Sequence, residues 1–307
     1  MDIIKNIAII FISIFFESLP FLLLGSLISS IIETYISNDR IAAIIPKNKI
    51  LGSLVGVFLG FFIPACDCAV IPISKRLLKK KVPINVAISF MLSSPIINPV
   101  VLLSTYYAFY KTNPTIFWSR LLFGIIISLI IGLIMGLIFG NKEVITNNKD
   151  ETCHCHDHSC ECNCHHHTHN KTLKSNVISI AKHTAFDMFE VVKYLMFGAL
   201  IASLVQVIMP RRILITFSNN IYLSVCTLML FAYLISLCST SDSFVGKSLL
   251  SSFGIPPVIA YLLLGPMIDI KNTVVLLGNY KKSFVISLIL LIFVSIFIFS
   301  ILVVRYL

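Results

Sequence analysis

The sequence predicts an all-α integral membrane protein with about eight transmembrane helices, arranged as two internal repeats that contain broken helices. Three observations lead there: the composition, the long apolar runs, and residues that match between the halves. The 307 residues are 57% hydrophobic and 12% charged, with a mean hydropathy of +0.93, whereas soluble domains carry about 25% charged residues. This composition excludes an ordinary soluble enzyme and a disordered chain.

The net charge of +10 arises from 24 Lys and Arg against 14 Asp and Glu. The basic residues lie between apolar runs, where they anchor loops at a membrane surface. The charge is therefore not the signature of a nucleic-acid-binding protein.

Charge-poor runs recur along the chain, and a spanning helix needs roughly 20 mostly apolar residues. Four runs precede a polar stretch and four follow it. In chain order they are Asn6–Ile32, Ile50–Cys66, Val82–Tyr110, Leu121–Asn141, Tyr194–Pro210, Ile213–Ser241, Ser248–Ile268 and Ser283–Val304. The predicted domains are a first four-helix repeat at 1–141, a cytoplasmic His/Cys-rich loop at 142–182 and a second four-helix repeat at 183–307.

Eight crossings would place both termini, the 65–83 loop and the 141–185 loop on one side of the membrane. The density of basic residues in the 65–83 loop indicates the cytoplasmic side; they are Lys75, Arg76, Lys79, Lys80 and Lys81. The loops of the opposite side also carry cations, so the bias is modest. Those cations are Arg40, Lys47, Lys49, Arg211, Arg212, Lys281 and Lys282.

The two halves match at a nearly constant offset of 171–173 residues. The pairs are Glu17 with Glu190, Gly25 with Gly198, Cys66 with Cys238, Pro83 with Pro256, Ser94-Pro95 with Gly265-Pro266, and Asn98 with Asp269. Duplicated halves are typical of secondary transporters, whose substrate binds near mid-membrane where the repeats meet. The alternative is an old duplication that is kept only for packing.

Each half also contains candidate helix breaks. Residues 61–72 place two prolines and an acid at the end of an apolar run, and residues 237–243 place small hydroxyl residues and an acid there. Further breaks are expected around Asn98 and before Asp269. Proline removes a backbone donor, and freed backbone groups inside a membrane must find partners or line a wet cavity. If these segments dip back into the bilayer the halves are inverted, and if they stay at the surface the halves are parallel.

The motifs at these breaks resemble the signature of the ArsP/YraQ-like permeases. They read Pro64-Ala-Cys-Asp-Cys-Ala-Val-Ile-Pro72, Ser93-Ser-Pro-Ile-Ile-Asn-Pro99, Cys238-Ser-Thr-Ser-Asp-Ser-Phe-Val245 and Leu264-Gly-Pro-Met-Ile-Asp-Ile-Lys-Asn272. The resemblance implies an eight-helix permease of the bacterial plasma membrane. Characterised members of that family export trivalent organoarsenicals, while many relatives have no known substrate. This chain departs from the pattern at Asp67, where a small hydroxyl residue is expected, at Ala69, where glycine is expected, and in its His/Cys insertion.

Cysteines at the breaks are the first candidate substrate ligands. Thiolates favour soft or borderline centres such as Cu(I) and zinc and, by the same logic, trivalent arsenic. If the repeats pack face to face, Cys66, Cys68 and Cys238 converge on one cavity. The alternative is that they are buried, inert hydrophobes, which is the interpretation adopted for Cys226. Uncharged hydrogen bonds to the substrate, or alternatively helix caps, are expected from Ser94, Asn98 and Ser241.

Carboxylates in apolar runs are candidates for proton coupling. An ionisable group at the centre of a spanning helix costs at least about 2.5–3.5 kcal/mol, so such residues are functional candidates. Glu17 interrupts the first run, and Asp67 and Asp242 lie in the breaks.

The central loop is the predicted metal-binding segment. Imidazole and thiolate are the main protein ligands of zinc and copper, and their density here indicates a flexible binder that senses or buffers metal; a drifted spacer is the alternative. The candidate ligands are Cys153, His154, Cys155, His156, His158, Cys160, Cys162, Cys164, His165, His166, His167 and His169. No cofactor is expected to be required.

The leading hypothesis is a non-enzymatic, secondary permease that exports a soft, thiol-reactive solute, above all trivalent organoarsenicals, with proton coupling. One rival is a zinc or copper efflux permease. A second is a membrane thiol-redox enzyme using Cys66 and Cys68, although these lack the Cys-x-x-Cys context that activates a thiol. The expected partners are the lipid bilayer, a small soft solute and a metal ion, without nucleic acid; a homo-oligomer or a small partner subunit stays open.

Overall fold

The computed structural model describes residues 2–35, 46, 48–63, 65–140, 142–146, 173–208 and 220–306. Within these ranges the chain forms twelve α-helices. They are α1 (Asp2–Tyr35), α2 (Lys49–Phe62), α3 (Asp67–Lys79), α4 (Ile84–Ile97), α5 (Pro99–Phe109), α6 (Pro114–Phe139), α7 (Leu173–Ile208), α8 (Ile221–Ile235), α9 (Ser241–Phe253), α10 (Ile255–Met267), α11 (Ile270–Asn279) and α12 (Lys282–Tyr306).

The first six helices and the last six form matching sets. In chain order the paired lengths are 34 and 36, 14 and 15, 13 and 13, 14 and 13, 11 and 10, and 26 and 25 residues. The duplication that six residue pairs predict in the sequence therefore extends to the order and the length of the helices.

Six described segments are long and apolar enough to cross a membrane: Ile4–Ile31, Ile84–Phe109, Pro114–Phe139, Val191–Ile208, Ile255–Asn279 and Lys282–Arg305. The α4–α5 span is interrupted at Asn98, and the α10–α11 span is interrupted at residues 268–269. The apolar helices α2 and α8 have 14 and 15 residues. At about 1.5 Å per residue they fall short of a hydrocarbon core roughly 30 Å thick.

The third predicted span of the second half differs in detail from the structure. The predicted run Ser248–Ile268 is split at Gly254, which has a φ of +77° and ends α9. The span that begins at Ile255 continues through its break to Asn279. Hydropathy misplaces this span because the apolar run passes without interruption through a tight turn.

Matching helices of the two halves run antiparallel. In α6 and α12, Phe139 packs on Phe284 with ring centroids 5.3 Å apart, and Phe123 packs on Phe299 at 5.5 Å. The end of α6 therefore lies beside the start of α12.

The first helices of the two halves show the same relationship. Thr184, near the start of α7, donates a 3.0 Å hydrogen bond to Ser30, near the end of α1. Ile14 of α1 packs with Ala199 and Ala202 of α7. The repeats are therefore inverted. This decides between the two arrangements that the sequence leaves open.

Inverted halves need an odd number of crossings each, and three are present: α1, α4–α5 and α6, and their mates. The remaining pairs, α2–α3 and α8–α9, are hairpins that enter the protein and return to the same face. Lys49 at the start of α2 and Pro83 after α3 line one surface cavity together with Gly140 after α6. The break between α2 and α3 consequently lies at the inner tip of its hairpin, and residues 67–74 are buried.

The first and last described residues lie on the face opposite to the end of α6 and the start of α7, which corrects the predicted arrangement. Backbone hydrogen bonds from Thr146 to Asn279 and from Lys281 to Val144 place the end of α6 beside the start of α12. Both lie on the face that carries Lys49, Lys75 and Lys142, which we call the basic face. Because α12 begins on that face, its end at Tyr306 lies on the other, as does the start of α1. The prediction counted each hairpin as a crossing, which displaced the termini by one membrane face.

A candidate solute site where the repeats meet

The start of α3 gathers three side chains that can bind a soft ion. Cys66 is the extended residue before the helix, and Asp67 and Cys68 begin its first turn. One ligand atom from each lies within 4.8 Å of the other two. Asp67 and Cys68 are buried, with exposed fractions of 4% and 2%, and Cys66 is half-buried. A helix N-terminus favours a negative group such as Asp67.

Side chains from both repeats line a cleft around this cluster, which we call the solute site. They come from α1, the start of α3, the break before α9 and the start of α11. They are Ile14, Glu17, Ser18, Phe21, Cys66, Asp67, Cys68, Ser236, Cys238 and Lys271. The structure thus brings together the three cysteines predicted to bind substrate and two of the three acids predicted to couple protons, Glu17 and Asp67.

A lysine from the second repeat offsets part of the negative charge of the buried acids. The Lys271 ammonium lies 3.4 Å from the Asp67 carboxylate and 3.5 Å from that of Asp269. The Asn272 amide donates a 3.0 Å hydrogen bond to Asp67, and its backbone N–H donates one of 2.6 Å to Asp269. The first turn of α3 and that of α11 are therefore joined through ionic and hydrogen-bonded contacts.

The glycines that match between the halves allow α1 and α7 to pack closely against the helices that carry this cluster. A Cβ added at Gly25 of α1 would lie 2.5 Å from the Cβ of Ala69 in α3. A Cβ added at Gly198 of α7 would lie 2.9 Å from the backbone oxygen of Lys271. Both glycines permit a close helix approach beside a residue of the solute site, which gives a physical reason for their recurrence.

The three uncharged residues predicted to bind substrate, Ser94, Asn98 and Ser241, are not among the described residues that line the cleft. Ser94 donates to the backbone oxygen of Ile63 at 3.1 Å and so holds the break before α3. Asn98 accepts a 3.0 Å hydrogen bond from the N–H of Val100 and caps α5. Ser241 is the half-buried first residue of α9. Substrate binding by these residues stays a prediction, whereas Asn98 caps its helix as the alternative interpretation expects.

Asp242 belongs to a second polar cluster at the start of α9. Its carboxylate accepts a 3.1 Å hydrogen bond from the Tyr261 hydroxyl, and its other oxygen, Oδ2, has no hydrogen-bond partner among the described residues. The fully buried Arg120 of α6 donates to Thr105 at 2.7 Å and to Ser243 at 2.8 Å. The structure therefore separates Asp242 from the other two acids predicted to couple protons.

Sequence reasoning missed Arg120, Lys271 and Asn272. Arg120 directly precedes the apolar run that begins at Leu121, a position typical of a cation that anchors a loop. Lys271 and Asn272 were part of a recognised motif without a role of their own. The acid–lysine spacing of Asp269 and Lys271 was the available signal. The twelve candidate metal ligands of the central loop, like the side chain of Glu190, lie outside the described residues.

Inverted repeats built around broken helices, with a cleft lined by buried charged side chains where they meet, define a membrane permease. The chain belongs to the ArsP_1 family, described as "Predicted permease", whose sequence profile matches residues 3–305. The resemblance inferred from the break motifs is confirmed, as is the all-α membrane fold.

Two bacterial relatives are similar over most of their length. A Streptococcus mutans protein named "Putative two-component membrane permease complex subunit" is 38% identical over 278 residues, 91% of this chain and 88% of its own. The Bacillus subtilis "UPF0718 protein YcgR" is 38% identical over 287 residues, 91% of this chain and 90% of its own. No solved structure shows a significant match. The chain is a multi-pass protein of the bacterial plasma membrane.

Proposed function

We propose that this permease exports a soft, thiol-reactive solute, which binds transiently at the solute site. The observation that carries the proposal is the approach of Cys66, Asp67 and Cys68 within 4.8 Å, with Cys238 in the same cleft. Sites of this kind at an inverted-repeat interface are where secondary transporters bind substrate.

Trivalent organoarsenicals are the first candidate substrates, and the family resemblance supports them. Methylarsenite, CH₃As(OH)₂, reacts with two thiols to form two As–S bonds and release two water molecules. Cys66 and Cys68 supply two neighbouring thiols, and exchange onto Cys238 would move the bound arsenic toward the second repeat. No charge is gained or lost in this step.

Zinc or copper is the second candidate substrate, and Asp67 favours it. Carboxylate, thiolate and imidazole are the usual zinc ligands, whereas arsenic(III) exchange needs thiols alone. The central His/Cys loop would then bind the metal ion before the ion reaches the solute site. Because Asp67 is buried at 4% exposure and adjoins both thiols, this alternative rests on the described site as well as on the loop.

Proton coupling is the proposed driving force. Glu17 and Asp67 line the solute site, and Asp242 offers an oxygen without a hydrogen-bond partner among the described residues. Protons and solute would bind at two clusters related by the inverted repeat.

The name of the Streptococcus mutans relative further supports a partner subunit for this chain.

The basic face is proposed to be cytoplasmic. It carries Lys49, Lys75, Arg76, Lys79, Lys80, Lys81, Lys142, Lys281 and Lys282. The opposite face carries Lys5, Lys111, Lys247 and Arg305. Because Lys49, Lys281 and Lys282 join the basic face, the positive-inside bias is stronger than the sequence alone indicated.

Uptake into everted membrane vesicles tests the function, with methylarsenite, zinc and copper(I) compared under an imposed proton gradient. We expect uptake of a thiophilic solute that is lost in Cys66→Ser, Cys68→Ser and Cys238→Ser. Cys226→Ser is the matched control, because Cys226 is exposed on α8, away from the cleft. Removing residues 153–169 should abolish zinc or copper export and spare arsenical export. Uptake of none of the three would contradict the proposal.

A further inference from the structure

We propose that Lys271 is an exchangeable counter-cation of the solute site, and that the solute it gives way to is itself a cation, a borderline metal ion such as zinc. The inference rests on the proposed function and narrows its substrate class. It assigns Lys271 a role in specificity and release.

Charge balance is the first argument. Asp67, Asp269 and Lys271 have exposed fractions of 4%, 0% and 3%, and one ammonium lies between the two carboxylates at 3.4 and 3.5 Å. Glu17 also lines the cleft, but its side chain is exposed. With ionised side chains the three buried groups sum to a formal charge of −1, and buried charge without compensation is costly. A cationic solute supplies the missing positive charge, and a neutral arsenical does not.

The second argument is the alternative partner that Lys271 has within reach. The Oδ2 atom of Asp269 has no hydrogen-bond donor among the described residues, and it lies 3.5 Å from the ammonium. When a metal ion takes Asp67 as a ligand, it repels the ammonium, which then pairs fully with Asp269. Asn272 keeps its hydrogen bonds to both acids, so the first turn of α11 stays in place during this exchange.

Release is the third argument. Structural zinc sites built from thiolates bind the ion very tightly, and such affinity is too high for a carrier that must release its solute. A lysine that returns to Asp67 competes with the departing ion and lowers its affinity. Between transport cycles the Lys271 ammonium therefore supplies part of the positive charge that the bound solute supplies during them.

The test measures zinc binding by the purified full-length protein and zinc uptake by vesicles in parallel. Lys271→Gln should bind zinc at least about tenfold more tightly, a change equivalent to about 1.4 kcal/mol, and yet export it more slowly. Asp269→Asn keeps the acceptor that caps α11 but removes the alternative charge, so its zinc affinity should fall about tenfold. Lys75→Gln is the matched control, because Lys75 contacts Asn279 at the basic face.

Methylarsenite is the neutral probe for the same variants. Its binding should be unchanged in Lys271→Gln and Asp269→Asn, since it brings no charge to Asp67. If Lys271→Gln weakens zinc binding, leaves it unchanged, or changes both probes equally, the inference is wrong. A wild-type protein that binds methylarsenite but not zinc overturns the inference and keeps the proposed function, and one that binds none of methylarsenite, zinc and copper(I) overturns both. Asp269→Asn supplies an independent reading if Lys271→Gln does not fold.

Discussion

Arg120 donates a 2.8 Å hydrogen bond to the hydroxyl of Ser243 and so joins α6 of the first repeat to α9 of the second. The same guanidinium donates to Thr105 of α5 at 2.7 Å and to the backbone oxygen of Ser239 at 3.3 Å. Its side chain is fully buried. One cation thus joins the break of the second repeat to the half-helix α5 of the first.

Arg120→Ala should destabilise the protein strongly. It removes three hydrogen bonds and leaves buried acceptors without a donor, each of which costs about 1–3 kcal/mol. We expect a loss of at least about 3 kcal/mol, seen as a lower thermal unfolding midpoint in detergent. Arg305→Ala is the control, because Arg305 is exposed in the last turn of α12. Equal midpoints for the two variants would show that the Arg120 contacts do not hold the repeats together.

The sequence predicts the repeat, the breaks and the cysteine cluster because each depends on local signals. Capping residues mark two of these breaks, since Asn98 and Asp269 both cap the half-helix that follows. The matched cysteines therefore predict a shared site once the halves are assumed to face each other.

The direction of each helix and the buried cations were beyond sequence reasoning, for a physical reason. An apolar run looks the same whether it crosses the bilayer or returns to its starting face, so the hairpins α2–α3 and α8–α9 were counted as crossings. Arg120 and Lys271 find their partners across the repeat interface, at residues more than a hundred positions away. No pattern within one segment contains that information.

Gly25→Ala should impair the solute site by pushing α1 away from α3. The added Cβ would lie 2.5 Å from Ala69 Cβ and 2.9 Å from its backbone, and a backbone cannot yield without moving Cys68. Overpacking of this kind costs about 1–3 kcal/mol. Zinc or methylarsenite binding should fall together with stability. Gly246→Ala is the control, because its added Cβ meets side-chain atoms and no backbone, the nearest being Cδ2 of Leu262 at 3.1 Å. Equal binding by the two variants would contradict the role of the glycine.

Sidedness can be tested by labelling single cysteines introduced in a cysteine-free variant of the chain. Lys49→Cys and Lys142→Cys lie on the basic face, and Lys111→Cys lies on the opposite one. We expect a membrane-impermeant maleimide to label Lys111→Cys in intact cells and the other two in everted vesicles only. Labelling of Lys49→Cys from the same side as Lys111→Cys would contradict the hairpin arrangement, because eight crossings place these two residues on one face. The reverse pattern would keep the fold and invert its orientation in the membrane.

Asp242→Asn should uncouple transport from protons while sparing the solute site. The amide keeps an oxygen that can accept the hydrogen bond from Tyr261, so the cluster around Arg120 should persist, but the side chain can no longer gain and lose a proton. Solute binding should stay within about twofold, since a tenfold change needs 1.4 kcal/mol and Asp242 does not line the cleft. Uptake driven by an imposed pH gradient should fall to the level measured without a gradient. Glu143→Gln provides the same chemical change at an exposed acid and should behave as wild type. If Asp242→Asn still responds to the gradient, the coupling proton is carried by Glu17 or Asp67 at the solute site, and the second cluster serves only to hold the repeats together.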